Sequence, residues 1–312
     1  MQIIHLCPAN LATGGTESIH NLVKHLNECG ADAKILYVGK DLSNPQPVEY
    51  ISYGCPYITE FPENYKGVII FPEVWGNQSI EDKYKDCITA IHWQGVDVYD
   101  WNTPVANRGL FLQRKDTIHF TNLEYGMEHL RKLGIEPIKV SDVLNEDFFN
   151  VLAFGKERKD TILYNPVSVK MTKFQVTVMS RCANELGLRF KPLEGYTRDQ
   201  LINLFRQSKL YIDFGVFSGR ERLPREAVMC GCCILTSNKG AARYYLDNPI
   251  KDDYKIEDVD EAMRMIKYIL DNYYECTYDF DWYRKELIHD KEKYPNEVRE
   301  LYNAFLSHSS NL

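Results

Sequence analysis

YIDFGVFSGRERLPREAVMCGCCILTSNKGAARYYLDNPI, residues 211–250, is the stretch from which the fold can be read. The apolar run Leu210–Phe214 predicts a strand, and the loop after it gathers Arg220, Glu221, Arg222, Arg225 and Glu226. Small residues over Glu226–Cys230 predict a helix, Cys232–Thr236 a second strand, and the Ser237–Gly240 turn the opening of another helix. Strands and helices alternating in this way build a parallel α/β sheet, whose strand-to-helix loops all emerge at the carboxyl edge.

Upstream, the same alternation runs through a strand at Thr161–Tyr164, a helix near Phe174–Leu186, a strand at Phe190–Leu193 and a helix at Arg198–Gln207. A separate series opens the chain. Strand Ile3–Cys7 and loop Pro8–Gly15 lead into an amphipathic helix, Thr16–Asn27, with Ile19, Leu22, Val23 and Leu26 on one face; strand Ala33–Val38 follows. Apolar runs at Gly67–Phe71, Cys87–His92, Thr117–Phe120 and Ile138–Val140, with a helix over Leu123–Leu133, extend this series. Asn145–Arg158 is polar, has no strong period and reads as a linker, while Asp258–Tyr274 and Asp281–Leu306 read as charge-rich amphipathic helices. The expectation is an α/β protein of two Rossmann-like domains, residues 1–147 and 159–280.

The bulk composition fits that division. A chain of 312 residues with 44% apolar content suits two cores of ordinary size. A net charge of −7 argues against nucleic acid as the main partner, because phosphate-backbone binding needs clustered Lys and Arg. Nine scattered cysteines lack the spacing of a disulfide framework and suggest a reducing, cytoplasmic setting. Cys230, Cys232 and Cys233 have no matching Cys/His pair elsewhere and read as core rather than metal ligands. MQIIHLCPAN lacks a basic leader and reads as a strand, not a signal, and no window is long and apolar enough to span a membrane; weak peripheral membrane docking stays open.

Three arginines around Glu226 exceed what a helix cap needs, and a bound anion would account for them. A capping acid after Leu223-Pro224-Arg225 would look the same. The Ser237–Gly240 turn would add backbone N–H groups at a helix start, and the two loops together suit a ribose and a diphosphate.

On these residues the chain resembles the GT-B glycosyltransferases, chiefly the large retaining family that includes many makers of bacterial surface polysaccharide. Glu226-Ala-Val-Met-Cys-Gly231 matches that family's Glu-Ala-x-x-x-Gly core, and the strand and Gly-containing turn follow as they do there. The resemblance implies a C-terminal helix (281–312) that returns to the first domain, and a cleft between the two domains that holds a nucleoside diphosphate sugar as donor substrate, with no metal or other cofactor and a glycan-type acceptor. It assigns Glu226 to the ribose, Lys170 and Arg222 to the phosphates, and Ser237, Asn238, Lys239, Gly240 and Ala241 to a backbone cradle for the diphosphate. Gly14-Gly15-Thr16-Glu17 resembles the glycine turn after the family's first strand, where Gly14 and Gly15 would let bare backbone approach donor or acceptor. Tyr196, after Leu193-Glu-Gly195, would line the base pocket; His92 would meet the transferred sugar, and Glu73 the acceptor.

Two departures stand beside these matches. The family pattern has two glutamates with seven residues between them, and the first position here is Ser218, with Glu221 the nearer acid. An arginine expected before the phosphate-binding lysine is Asn165 in this chain, and Lys173 competes with Lys170 for the lysine role. They motivate a rival reading, a module that binds nucleotide sugars without turning them over. A further rival, glycosylation of nucleic-acid bases as in some viral members of this fold, is opposed by the charge. The triplets Asp258-Val259-Asp260 and Asp279-Phe280-Asp281 stand at predicted helix starts and read as caps, not metal sites.

Overall fold

The computed structural model describes residues 1–150, 157–167 and 169–309, so the middle of the proposed linker and Ser168 lie outside the described residues. The chain divides into two compact units. Met1–Val143 and the chain from Lys291 onward form the first, and Leu144–Asp290 the second.

The first unit is built on strands β1 (Gln2–Pro8), β2 (Asp32–Val38), β3 (Tyr57–Ile58), β4 (Val68–Pro72), β5 (Ile88–Trp93), β6 (Ile118–Thr121) and β7 (Ile138–Lys139). They lie in the order β3-β2-β1-β4-β5-β6-β7, and all pairs are parallel. Every residue of β4 and β5 is buried, as expected of strands covered on both faces. Helix α1 (Gly14–Glu28) starts two residues earlier than the apolar period indicates, because Thr13 and Thr16 form a reciprocal cap. Thr13 Oγ1 accepts the Thr16 amide at 3.4 Å and Thr16 Oγ1 accepts the Thr13 amide at 2.9 Å. Helices α2 (Val96–Asn102) and α3 (Glu124–Lys132) follow β5 and β6.

The second unit has strands β8 (Lys159–Tyr164), β9 (Arg189–Pro192), β10 (Ser208–Asp213) and β11 (Cys233–Thr236) in the order β11-β10-β8-β9, again parallel. Its helices are α4 (Lys173–Leu186), α5 (Arg198–Gln207), α6 (Arg222–Met229), α7 (Val259–Asp271), α8 (Tyr273–Cys276) and the long α9 (Asp281–Ser309). Leu210, Ile212, Ile234, Leu235, Cys230, Cys232 and Cys233 are all at 0% exposure in its core, where each large aliphatic side chain stabilises by about 1.5–3 kcal/mol. Burial pushes the Cys232 thiol up to about 12. From Lys291 on, α9 belongs to the first unit: Glu297 accepts the Ser141 amide at 2.7 Å, and the Tyr294 ring packs edge-on to His25.

The structure corrects several sequence expectations. Helix α6 begins at Arg222, with Glu221 at its N-cap position, so Glu226 sits in the second turn and is not a capping acid. Pro224 falls in the first turn, where its missing N–H breaks no helical bond. The Ser237–Gly240 turn opens only a short 3-10 segment, Ala241–Arg243. Asp258 does cap α7, accepting the Glu261 amide at 2.9 Å. Asp279 does not cap a helix; it receives Lys251 Nζ at 2.6 Å and the Tyr254 hydroxyl at 2.7 Å, tying down the loop that carries both.

Candidate functional site

In a doubly wound sheet, loops diverge where consecutive strands part to opposite sides, and the gap they leave is the natural binding position. In the second unit that point lies between β8 and β10. It brings the segment after β8, ending in Lys170, to the segment Phe214–Glu221 after β10. Lys170 is 4% exposed. Its ammonium donates to Val216 O at 2.8 Å, pairs with Glu221 Oε1 at 3.0 Å and Asp213 Oδ2 at 3.6 Å, and lies 4.7 Å from the Phe217 ring centre. Gly215 makes this possible, because a Cβ there would stand 2.6 Å from Lys170 Cδ and 3.1 Å from its Cα. Burial alone would lower the lysine pKa, but Glu221 and Asp213 outweigh it and raise it. Asp213 is pushed up to about 6 by burial, against the pull of Lys170.

The arginine excess has a mainly structural explanation. Arg220 forms a buried ion pair with Asp290 of α9 at 2.7 Å. Arg225, fully buried, donates to the carbonyls of Arg220 at 2.7 Å and Glu221 at 3.2 Å, so it shapes the loop rather than waiting for an anion. Arg222 and Glu226 are buried in α6, at 9% and 6% exposure.

The Ser237–Ala241 turn is partly spent on itself. The Ser237 amide donates to Asp213 O, the Asn238 amide to Glu257, and the Ala241 amide to Phe217 O at 2.7 Å. The Ser237 hydroxyl donates to Gly215 O at 2.6 Å. Among the described residues the Lys239 and Gly240 amides carry no internal partner. Gly240 has φ +60°, and a Cβ there would meet Phe217 O at 2.1 Å, so the turn is moulded against the Phe217 backbone. Tyr196 is exposed beyond β9 with Lys191 over its ring, and Lys173 is exposed at the start of α4. Asn165 accepts the Val167 amide at 3.2 Å.

The first unit has its own divergence point, between β1 and β4. Gln94 links its parts: the side chain donates to Gly15 O at 2.9 Å, and the backbone amide donates to Glu73 Oε2 at 3.2 Å. Gly14 and Gly15 are the first residues of α1. Glu73 is 4% exposed, and burial pushes it up to about 7 although backbone amides hold it. His92 lies inside the sheet at 3% exposure, stacked on Phe120 at 4.5 Å, and burial takes it down to about 4. Its Nδ1 is 3.2 Å from His5 Nε2, while His5 Nδ1 faces Leu6 O at 2.9 Å. His5 therefore keeps its proton on Nδ1, Gln94 Nε2 also faces His92 Nδ1 at 3.4 Å, and burial keeps both rings neutral. A depression of about 680 Å³ lined by Ile80, Glu81, Asp82, Lys85 and the four residues 113–116 opens at the other, amino edge of the sheet. There Arg114 serves the Ser79 and Tyr84 carbonyls.

Asp213 and Gln94 were not singled out from sequence. Asp213 had a signal, a carboxylate closing an apolar strand before a glycine; Gln94 had none.

No protein-family model matches the chain, and no curated protein matches it in sequence. Solved structures do match. Sucrose-phosphate synthase from Thermosynechococcus elongatus aligns with a TM-score of 0.71 at 13% identity, over 98% of this chain and 99% of that one. TarM aligns at 0.66 and 10% identity, over 97% and 98%. An alpha-glucosyltransferase in complex with UDP and a 13-mer DNA containing an HMU base aligns at 0.55 and 11% identity, over 96% and 95%. These neighbours are GT-B glycosyltransferases, and at such identities the likeness establishes the fold: this chain has the GT-B fold.

Proposed function

We propose that the chain is a glycosyltransferase that moves a sugar from a nucleoside diphosphate sugar to a hydroxyl of a glycan or polysaccharide precursor, with retention at the anomeric carbon. What supports this reading is the GT-B fold together with a buried lysine, Lys170, held between carboxylates at the β8–β10 divergence point. In the proposed scheme Glu226 receives the ribose hydroxyls, Lys170 and Arg222 face the diphosphate, and the Lys239 and Gly240 amides add backbone donors. Tyr196 stands at the base. In the first unit His92, Gly14 and Gly15 serve the transferred sugar, and Glu73 serves the acceptor. As the glycosidic bond to the leaving diphosphate breaks, negative charge grows on its oxygens. Fixed cations and amides around that charge are the largest catalytic contribution such a site offers. The scheme uses no metal.

Binding without turnover is the second reading, favoured by Ser218 and Asn165 where the family carries charge. Transfer to a nucleic-acid base is disfavoured by the net charge of −7. A thermal-shift panel of UDP-, GDP-, ADP- and dTDP-sugars tests the proposal. Stabilisation by at least one donor, with slow release of free sugar from it, supports transfer; stabilisation without release supports the binding module. No stabilisation by any of them sinks both.

A further inference from the structure

We infer that Glu221 is a place-holder: its carboxylate occupies the position on Lys170 that an oxygen of an incoming diphosphate takes, while Asp213 holds the lysine in place in both states. The proposal rests on the donor reading above only for the identity of the anion.

The Lys170 ammonium donates to Val216 O at 2.8 Å, has Glu221 Oε1 at 3.0 Å, and stands at a longer ion-pair distance, 3.6 Å, from Asp213 Oδ2. A phosphate oxygen that binds this nitrogen competes with these acceptors for it. The three differ in how firmly they are held. Val216 offers a backbone carbonyl. Asp213 has a side chain 1% exposed at the end of β10, fixed by the Gly215 amide at 3.1 Å and the Tyr211 hydroxyl at 3.3 Å. Glu221 is 22% exposed at its side chain, makes no capping bond to α6, and among the described residues its carboxylate is met otherwise by the Ser218 hydroxyl at 3.5 Å. It is the acceptor that can leave.

Charge points the same way. Lys170 is faced by Asp213 of β10 and Glu221 at the head of α6, and the neighbouring Tyr211 of β10 feels both of these and Glu226 of α6. One cation already faces two carboxylates, so an added diphosphate is tolerated when Glu221 turns out to solvent or the carboxylate pair takes up a proton. Asp213, at about 6 before the anion arrives, is the group whose proton affinity the anion raises further. Anion affinity is therefore full in acid and falls as pH rises through about 6.

Calorimetric titration of wild type, Glu221→Gln and Asp213→Asn tests this with two probes, UDP-glucose and inorganic pyrophosphate. UDP-glucose has both phosphates esterified, so its own charge stays constant across this range. Glu221→Gln is expected to tighten UDP-glucose by about tenfold and to weaken its pH dependence, since one competing charge within hydrogen-bond distance commonly shifts such equilibria by one unit or more. Asp213→Asn, which keeps this position uncharged at every pH, is expected to make UDP-glucose affinity independent of pH around 6. Because Asp213 is buried and its variant can fail to fold, the partly exposed Glu221→Gln decides the matter alone. If UDP-glucose binds no form but pyrophosphate binds and tightens in Glu221→Gln, the place-holder stands and the nucleotide-sugar reading falls. If Glu221→Gln tightens neither probe, or weakens them, the place-holder is overturned.

Discussion

In the first sheet, the buried rings of His5 and His92 face each other in their neutral forms, and Glu73 is buried with backbone amides as its partners among the described residues. At the carboxyl edge of the second sheet, Lys170 lies between Asp213 and Glu221, and Arg220 pairs with Asp290. Burial is nearly complete at both edges, so desolvation presses every group toward its neutral form in each. What differs is the partner. At the first edge burial outweighs the one opposite charge that reaches His92, Asp142, and keeps the groups neutral or close to it, while in the second, opposite charges hold the ammonium and guanidinium ionised. A neutral edge suits a hydroxyl-bearing ligand, and a cation-bearing edge suits an anion. This is the division of labour that the proposed transfer requires of the two units.

The strongest way to break the contrast is Lys170→Met, which leaves two carboxylates without their cation. It should destabilise the protein by about 3–5 kcal/mol at pH 8 and abolish stabilisation by any nucleotide sugar. The loss should shrink toward pH 5, because the folded protein then binds the missing proton more tightly than the unfolded chain. Urea denaturation at the two pH values reads both effects.

Glu73 tests the neutral edge from the alkaline side. Its folded pKa of about 7 lies above the ordinary 4.5, so its contribution to stability is full below about 4.5 and lost as pH rises through about 7. Glu73→Gln should therefore stabilise the protein at pH 8 by up to about 3 kcal/mol and flatten that pH dependence. His92 tests it from the acid side. Its folded value of about 4 lies below 6.5, so its contribution is present above about 6.5 and disappears as pH falls through about 4. His92→Asn should remove about 3 kcal/mol of that acid sensitivity, measured by thermal melts between pH 7 and 4. Smaller again is Gly240→Ala, which forces a side chain against Phe217 O at a positive φ; a loss of about 2 kcal/mol in urea denaturation is expected.

The strands were legible because parallel sheets covered on both faces write themselves as apolar runs, as in Val68–Pro72 and Cys233–Thr236. Element ends were less legible: the Thr13–Thr16 reciprocal bond lengthened α1, and α6 starts at Arg222, ahead of Pro224, without a side-chain cap to mark it. The positions of Lys170 and Glu226 along the chain could be read from spacing. Their charge partners could not, because the Arg220–Asp290 pair spans seventy residues and Asp213 meets Lys170 only once β8 and β10 are neighbours. The arginines that suggested an anion are accordingly divided, with Arg220 and Arg225 serving the fold.

The central claim is that a nucleoside diphosphate sugar binds at the β8–β10 divergence point. Hydrogen–deuterium exchange with and without the donor chosen by the thermal-shift panel tests it most directly, run on wild type and Glu226→Ala. The account predicts that the donor slows exchange in wild type over residues 165–170, 214–226 and 237–241, and that Glu226→Ala loses this protection. Protection confined to other segments, or unchanged in Glu226→Ala, would contradict it.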